Sequence, residues 1–348
     1  MEKIKVRHSS GEYTIYAGGG ILDAAVGEFI KERGGRYDRV YIVSDSNVFP
    51  LYGELLHEIF VKYGIQPTGS YAFAAGEQSK TLATVSELYA RFAAAHLTRK
   101  SLVVALGGGV CGDMVGFAAA TYLRGVDILQ IPTTLLSQID SSIGGKTGVD
   151  LDIGKNLVGA FWQPVAVVAD SNFLESLPER YLRDGMGEAI KYGCIADEKL
   201  FAAVADKSVA MSDLIGGCMK IKARVVEEDE QETGNRVILN YGHTLGHAVE
   251  KLGNFTRFSH GESVGIGMLL AARIGERLGY PPVYDKIKAA LIAWGLPTEA
   301  GYTPNELLSV AASDKKRSGD SITFVLLERL GKAIPRRLTL DELRELLK

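Results

Sequence analysis

SLVVALGGGVCGDMVGFAAATYLR, residues 101–124, decides the fold of this chain. SLVVAL (101–106) is uniformly apolar and reads as a strand buried on both faces. GGG breaks it, and VCGDMVGFAAATYL then reads as a helix. Gly107, Gly109 and Gly112 satisfy G-x-G-x-x-G between that strand and that helix, the setting in which glycines let a backbone approach a dinucleotide pyrophosphate. A bare glycine turn is the alternative, because the motif follows a later strand and not the first.

Working outward, strands and helices alternate. RVYIVSD (39–45), GSYAFAAGEQSK (69–80), VDILQIP (126–132) and VAVVAD (165–170) read as strands, the second running into a loop. Residues 51–64 and 81–97 have helical spacing. KIKVRH and EYTIYAG read as an added edge hairpin. Such alternation means βαβ units and a mostly parallel, Rossmann-like sheet. After Pro178 the texture turns helical, over 179–196, 199–205, 211–228, 243–252, 262–278, 284–294 and 305–313, with SITFVLLE (321–328) as the single strand expected there. The expected organisation is an α/β domain over 1–175 followed by a mainly α-helical domain over 176–348, which suits 348 residues at roughly 100–200 per domain.

Composition narrows the class. With 46% hydrophobic and 23% charged residues, the chain is globular. A net charge of -3 offers no footprint for nucleic acid. No apolar run reaches the ~18 residues of a membrane span. The N-terminal stretch lacks an apolar core, so no signal peptide is expected. Cys111, Cys194 and Cys218 form neither a disulfide framework nor a zinc-knuckle spacing. A reduced, cytoplasmic protein is the expectation.

Three stretches carry chemistry. Asp45 ends an early strand, where it either accepts a ribose hydroxyl or caps the turn SDSN. SSIGGKTGVDLDIGKN (141–156) sets Lys146 and Lys155 among four glycines. Gly145-Lys146-Thr147 imitates the end of a Walker A loop, but the earlier glycine that motif requires is Asp140. Two cations in a flexible glycine loop suit a phosphorylated ligand; each lysine alone also reads as a solvated side chain. The third stretch is LNYGHTLGHAVEKLGNFTRFSHGES (239–263). His243 and His247 lie one helical turn apart on one face, and His260 follows. Thr244 rules out H-E-x-x-H. Glu188, with Lys191 three residues on, is the best carboxylate to join the histidines. Three protein ligands with an open position suit a catalytic metal such as zinc. Spacing leaves open which of His243 and His247 is the ligand. His8, His57 and His96 read as packing or surface residues.

Together these blocks resemble the 3-dehydroquinate synthase family of sugar-phosphate cyclases. The likeness runs from SDSN (44–47) to SDKK (313–316), most specifically through GGGVCGDMVGFAAATYLRG, IPTTLLSQIDSSIGGKTGVD, GKNLVGAFWQP, GMGEAIKYG and LNYGHTLGH…SHGE. It implies a phosphate-eliminating lyase of the shikimate pathway, serving aromatic amino-acid biosynthesis. The implied substrate is a phosphorylated sugar acid, 3-deoxy-D-arabino-heptulosonate 7-phosphate. NAD would oxidise its C5 alcohol, phosphate would leave after loss of the C6 proton, and the hydride would return before an aldol closure. The resemblance puts a zinc or cobalt ion on Glu188, His243 and His260, with His247 assisting proton transfer. It puts substrate on Arg124, Asp140, Lys146, Asn156, Lys191, Lys222, Arg236, Asn240, His247 and one of Lys315 and Lys316. It puts NAD on Asp45, Glu77, Lys80, Gly107, Gly108, Gly109, Val110, Asp113, Thr133, Thr134 and Phe173, Leu174, Glu175 and Ser176. Lys146 and Lys155 fall between cofactor and substrate. Lys146, Lys155, Asn156, Lys191 and His247 are the implied catalytic set. A homodimer is implied, with neither nucleic acid nor membrane as partner. The loop Ala75-Gly76-Glu77-Gln78 departs from the family's Asp-Gly-Glu-Gln. Competing readings are a metal-dependent polyol dehydrogenase, another sugar-phosphate cyclase, and a non-catalytic NAD- or metal-binding regulator.

Overall fold

The computed structural model describes residues 1–313 and 321–348. Two compact units divide the chain, one made of 1–177 and 222–231, the other of 178–221 and 232–348. Residues 222–231 thus pack with the first unit, which a single cut after 175 does not anticipate.

The first unit runs β1 (Glu2–His8), β2 (Gly11–Gly18), α1 (Leu22–Arg33), β3 (Val40–Asp45), α2 (Phe49–Lys62), β4 (Gly69–Phe73), α3 (Leu82–Ala94), β5 (Leu102–Gly107), α4 (Gly109–Thr121), β6 (Asp127–Pro132), β7 (Lys146–Leu151), β8 (Gly154–Phe161) and β9 (Ala166–Asp170). Seven strands form one sheet in the order β1-β2-β9-β6-β5-β3-β4. All neighbours are parallel except the β1–β2 hairpin, which supplies the edge. The central strands are apolar on both faces because helices cover both. Leu102, Val104 and Leu106 of β5 join Val26 and Phe29 of α1 and Leu56 and Phe60 of α2. Val103 and Ala105 point the other way, into Leu88 and Phe92 of α3 and Met114 and Val115 of α4. Each fully buried Val or Leu contributes roughly 1.5–3 kcal/mol.

The glycine turn lies where this topology favours a ligand. Chain order runs outward from β3 to β4 and, on the other side of β3, from β5 to β6. The carboxyl ends of β3 and β5 therefore flank a switch point, the usual ligand crevice of an open α/β sheet. Its position after a later strand is the result of this strand order.

One segment departs from expectation. Lys146 and Lys155 lie in the antiparallel hairpin β7–β8 and not in a flexible loop. Gly148 pairs with Gly159, and a Cβ on Gly159 would meet the Thr147 carbonyl oxygen at 2.2 Å. Glycines that suggest looseness are here required by close strand approach.

The second unit contains α5 (Glu179–Ala196), α6 (Glu198–Ala205), the first part of α7 (Met211–Glu228), α8 (His243–Leu252), α9 (His260–Arg277), α10 (Tyr284–Ala293), α11 (Pro304–Ser313), β10 (Ser321–Arg329), β11 (Lys332–Thr339) and α12 (Leu340–Leu347). It is mainly helical, as expected, but SITFVLLE has a partner: β10 pairs with β11 antiparallel. Glycines draw α5, α8 and α9 together. A Cβ on Gly187 would meet the Gly261 oxygen at 2.4 Å, and one on Gly267 would meet the Gly242 oxygen at 1.9 Å. No helix among the described residues is long and apolar enough to cross a membrane.

Candidate active site

In the first unit, Gly108 caps the N-terminus of α4. The helix start presents main-chain N–H groups and a partial positive charge to an anion. Side chains crowd the turn: a Cβ would meet Cys111 Cβ at 2.6 Å from Gly107, Thr134 Cγ2 at 3.0 Å from Gly108, and Ser141 Oγ at 3.1 Å from Gly109. Thr133 donates its N–H to the Gly107 carbonyl at 2.9 Å. Gly107, Gly108, Gly109, Thr133 and Thr134 thus meet at one place, with Val110 in the first turn of α4. The Asp45 carboxylate accepts from Asn47 N at 2.9 Å and Val48 N at 3.1 Å, so it caps the turn after β3. Phe173, Glu175 and Ser176, next to Leu174 in the turn after β9, instead line a cavity of about 530 Å³ with Tyr52 and Asn172.

A second set centres on Lys80, whose side chain is 5% exposed. Its Nζ donates to Asp113 Oδ2 and to Asn156 Oδ1, each at 2.6 Å. Burial pulls the Lys80 ammonium toward neutrality, and the Asp113 and Glu77 carboxylates outweigh it and hold the pKa above the usual lysine value. Lys155 Nζ lies 3.9 Å from Glu77 Oε1. Asn156 adopts a left-handed backbone, φ 55°, and donates its N–H to Asp150 Oδ1 at 2.7 Å.

Lys222, also buried, reaches Asp140, donating to its main-chain oxygen at 2.7 Å and pairing with its carboxylate. Asp140 sits in a single π-helical turn, Ser137–Ser141. Such turns recur at functional sites. Lys146 begins β7 and is exposed. Arg124 is exposed on a turn where Leu123 and Arg124 are both left-handed, and among the described residues it joins none of these contacts. Gln138 escaped the sequence reading. It is fully buried and donates to the Pro132 and Asp170 carbonyls at 3.1 and 2.8 Å, tying the ends of β6 and β9.

In the second unit, Glu188 of α5, His243 at the start of α8 and His260 at the start of α9 converge. Glu188 is fully buried. His243 Nε2 and His260 Nε2 lie 3.4 and 3.5 Å from the same oxygen, Glu188 Oε1. One donor atom from each of the three falls within 4.8 Å of the others. The other Glu188 oxygen pairs with Lys191, also buried, one turn along α5. His243 Nδ1 is 3.2 Å from the Tyr241 carbonyl, which leaves Nε2 as the ring's outward donor.

Local structure fixes the approach. Gly242, at φ 80°, precedes α8 in a left-handed conformation that suits glycine. Ser259 and Glu262 form a capping box at α9, so His260 occupies its first turn. Burial, reinforced by the Lys191 charge, holds the His243 pKa well below the imidazole range. Burial opposes protonation of His260 too, but hydrogen bonds to Glu188 and Glu250 outweigh it and raise that ring. A carboxylate and two imidazole nitrogens so gathered fit zinc or cobalt.

His247 lies on the same face of α8, 5.4 Å from His243 between ring centroids, and its Nε2 is 4.0 Å from Glu250. Arg236 is 1% exposed, and Asn240 donates to Glu232 Oε1 at 2.9 Å. Lys315 and Lys316 lie outside the described residues. Glu250 was missed in sequence, although His243, His247 and Glu250 fall at i, i+4 and i+7 of one helix.

A solved 2-deoxy-scyllo-inosose synthase, in complex with carbaglucose-6-phosphate, NAD+ and Co2+, superposes with a TM-score of 0.86 at 28% identity, covering 99% of each chain. That likeness, over nearly the whole of both chains, sets the protein among the sugar-phosphate cyclases. The family model for the 3-dehydroquinate synthase N-terminal region matches residues 70–184, and that for the C-terminal region matches 185–317. The chain belongs to the 3-dehydroquinate synthase family. The 3-dehydroquinate synthase of Clostridium acetobutylicum is 43% identical over 340 residues, 95% of both chains. That of Geobacter metallireducens is 44% identical over 344 residues, 95% of this chain and 94% of the relative.

Proposed function

We propose that this chain is a 3-dehydroquinate synthase and that its residues divide the reaction as follows. The enzyme converts 3-deoxy-D-arabino-heptulosonate 7-phosphate to 3-dehydroquinate and phosphate. The observation that carries the reading is that one chain of this family holds a Glu188–His243–His260 donor cluster in one unit and a glycine turn with buried lysines in the other.

When bound, NAD supplies a hydride acceptor regenerated within the turnover, and a divalent ion on Glu188, His243 and His260 supplies a Lewis acid for a substrate hydroxyl. Residues 1–175 serve as the NAD-binding domain. Gly107–Val110, Thr133 and Thr134 hold the pyrophosphate at the start of α4, while Asp45, Glu77, Lys80, Asp113 and Phe173–Ser176 complete the nucleotide contacts. Residues 176–348 serve as the metal- and substrate-binding domain. Lys222, Arg236, Arg124 and Lys146 hold the substrate's carboxylate and phosphate, as planar or point cations suit those anions. Asp140, Asn156, Asn240 and one of Lys315 and Lys316 orient its remaining polar groups. Lys191 Nζ holds a proton at Glu188, and His247 moves one at the substrate. Lys155 contacts cofactor and substrate alike. We further propose a homodimer in the cytoplasm. The family resemblance supports the dimer, and the burial of Cys111, Cys194 and Cys218, at spacings that suit no disulfide framework, supports a reducing compartment.

The test follows phosphate and NADH together, with the heptulosonate phosphate and NAD at far less than one equivalent. Phosphate is expected one for one with substrate, with no accumulation of NADH. Steady NADH growth without phosphate would replace the reading with a polyol dehydrogenase.

A further inference from the structure

We propose that Glu250 is a positioning residue of the metal centre, holding His260 by its Nδ1 and sharing its carboxylate with His247. The inference rests on the ligand set Glu188, His243 and His260 proposed above.

Glu250 is 7% exposed, on the α8 face that carries His243 and His247. A buried carboxylate is costly without partners of opposite charge or strong donors. Two imidazoles face it. Glu250 Oε1 lies 3.4 Å from His260 Nδ1, and Oε2 lies 4.0 Å from His247 Nε2. His260 is thus held from both sides, with Nε2 toward Glu188 and Nδ1 toward Glu250. An Nδ1–H donated to Glu250 would keep that proton on the ring and leave Nε2, once its own proton is displaced, to an ion. A carboxylate behind a ligating histidine raises ligand basicity and fixes the ring plane. His243 has a weaker counterpart in the Tyr241 carbonyl, so His260 carries the only carboxylate-backed ring of the pair among the described residues.

His247, Glu250 and His260 also bring donor atoms within 4.8 Å of one another. A second ion there would need His260 Nδ1, because Nε2 is directed at Glu188. The ring would then bridge two ions as an imidazolate. Glu250 as a hydrogen-bond acceptor requires no such deprotonation, which favours one ion over two.

The experiment titrates metal-stripped full-length chain with cobalt alone, reading the visible absorption band and the dissociation constant by chelator competition. H243A serves as the control. Wild type is expected to bind one equivalent. E250A is expected to bind roughly 10–100-fold more weakly, the usual loss for such partners, with a shifted band. E250Q, which keeps shape and an acceptor oxygen, is expected to fall between them, and it decides the matter if E250A does not fold. Wild-type affinity and spectrum in both variants, or two equivalents in the wild type, would overturn the proposal. Undiminished binding by H243A would overturn the ligand set instead.

Discussion

Asp184 and Gly261 meet main chain to main chain: a Cβ on Gly261 would lie 1.8 Å from the Asp184 carbonyl oxygen, and the Asp184 carboxylate accepts the Gly261 N–H at 2.5 Å. This contact sets the start of α9, one residue after His260. G261A therefore has no room. It should destabilise by about 3 kcal/mol, the upper end of ordinary overpacking. Thermal denaturation, with metal content of the folded fraction, is the check. An unchanged midpoint and full metal would refute the constraint.

The ligand assignment separates the histidines. H243A and H260A should lose the ion while far-ultraviolet dichroism stays native. H247A should keep it and lose rate. Elemental analysis after gel filtration reads the difference, and stoichiometric metal in H243A or H260A counts against the set.

Chelation should abolish turnover reversibly. Adding zinc or cobalt to the stripped chain should restore it, whereas magnesium should not, since imidazole ligands favour the former ions. Equal restoration by magnesium would contradict a nitrogen-rich site.

Buried Lys222 pairs with the partly buried Asp140. Breaking a buried pair costs roughly 3–5 kcal/mol, and K222A should fall at the low end because the Asp140 side chain keeps 22% exposure. Substrate affinity should drop roughly 10–100-fold from loss of a charge-assisted contact, with NAD affinity little changed. Calorimetry with each ligand tests this, and equal losses would speak against a substrate role.

Asn156 combines a left-handed backbone with a side-chain contact to Lys80. N156A and N156G both remove the amide, so both should slow turnover. Only N156A should also pay a backbone strain of about 1–2 kcal/mol. Matching thermal midpoints for the two variants would show that the backbone is unstrained.

Sequence patterning revealed most elements where local signals and burial agree. VVAL and VYIVSD are apolar because helices cover both faces, and His243–Leu252 has strong helical periodicity. The β7–β8 hairpin was hidden because its glycines imitate a loop, while Gly148 and Gly159 serve close approach of the two strands. Strand β11 was hidden by Pro335 and three charged residues, which an exposed two-stranded ribbon tolerates. Helix α12 carries a legible start signal in Thr339 and Glu342, which form a capping box. The candidate metal residues were legible as types; spacing within α8 left His243 and His247 open, the family resemblance pointed to His243, and it is His243 whose Nε2 lies 3.4 Å from Glu188. Asp184 and Gln138 act through main-chain contacts to distant segments and left no local pattern.

The sheet order also bears on how the chain is made. β2 takes its place in the parallel sheet only against β9, with Thr14 opposite Ala166. At ordinary rates of synthesis, the ribosome needs on the order of ten seconds to supply that partner. During this interval Ile15 and Tyr16, buried in the finished protein, belong to a hairpin with an open edge, a template for mispairing. High contact order slows closure further. Glu12 on β2 and Lys3, Lys5 and Arg7 on its partner strand place charge on that hairpin, and charge on an edge ribbon opposes association before β9 emerges.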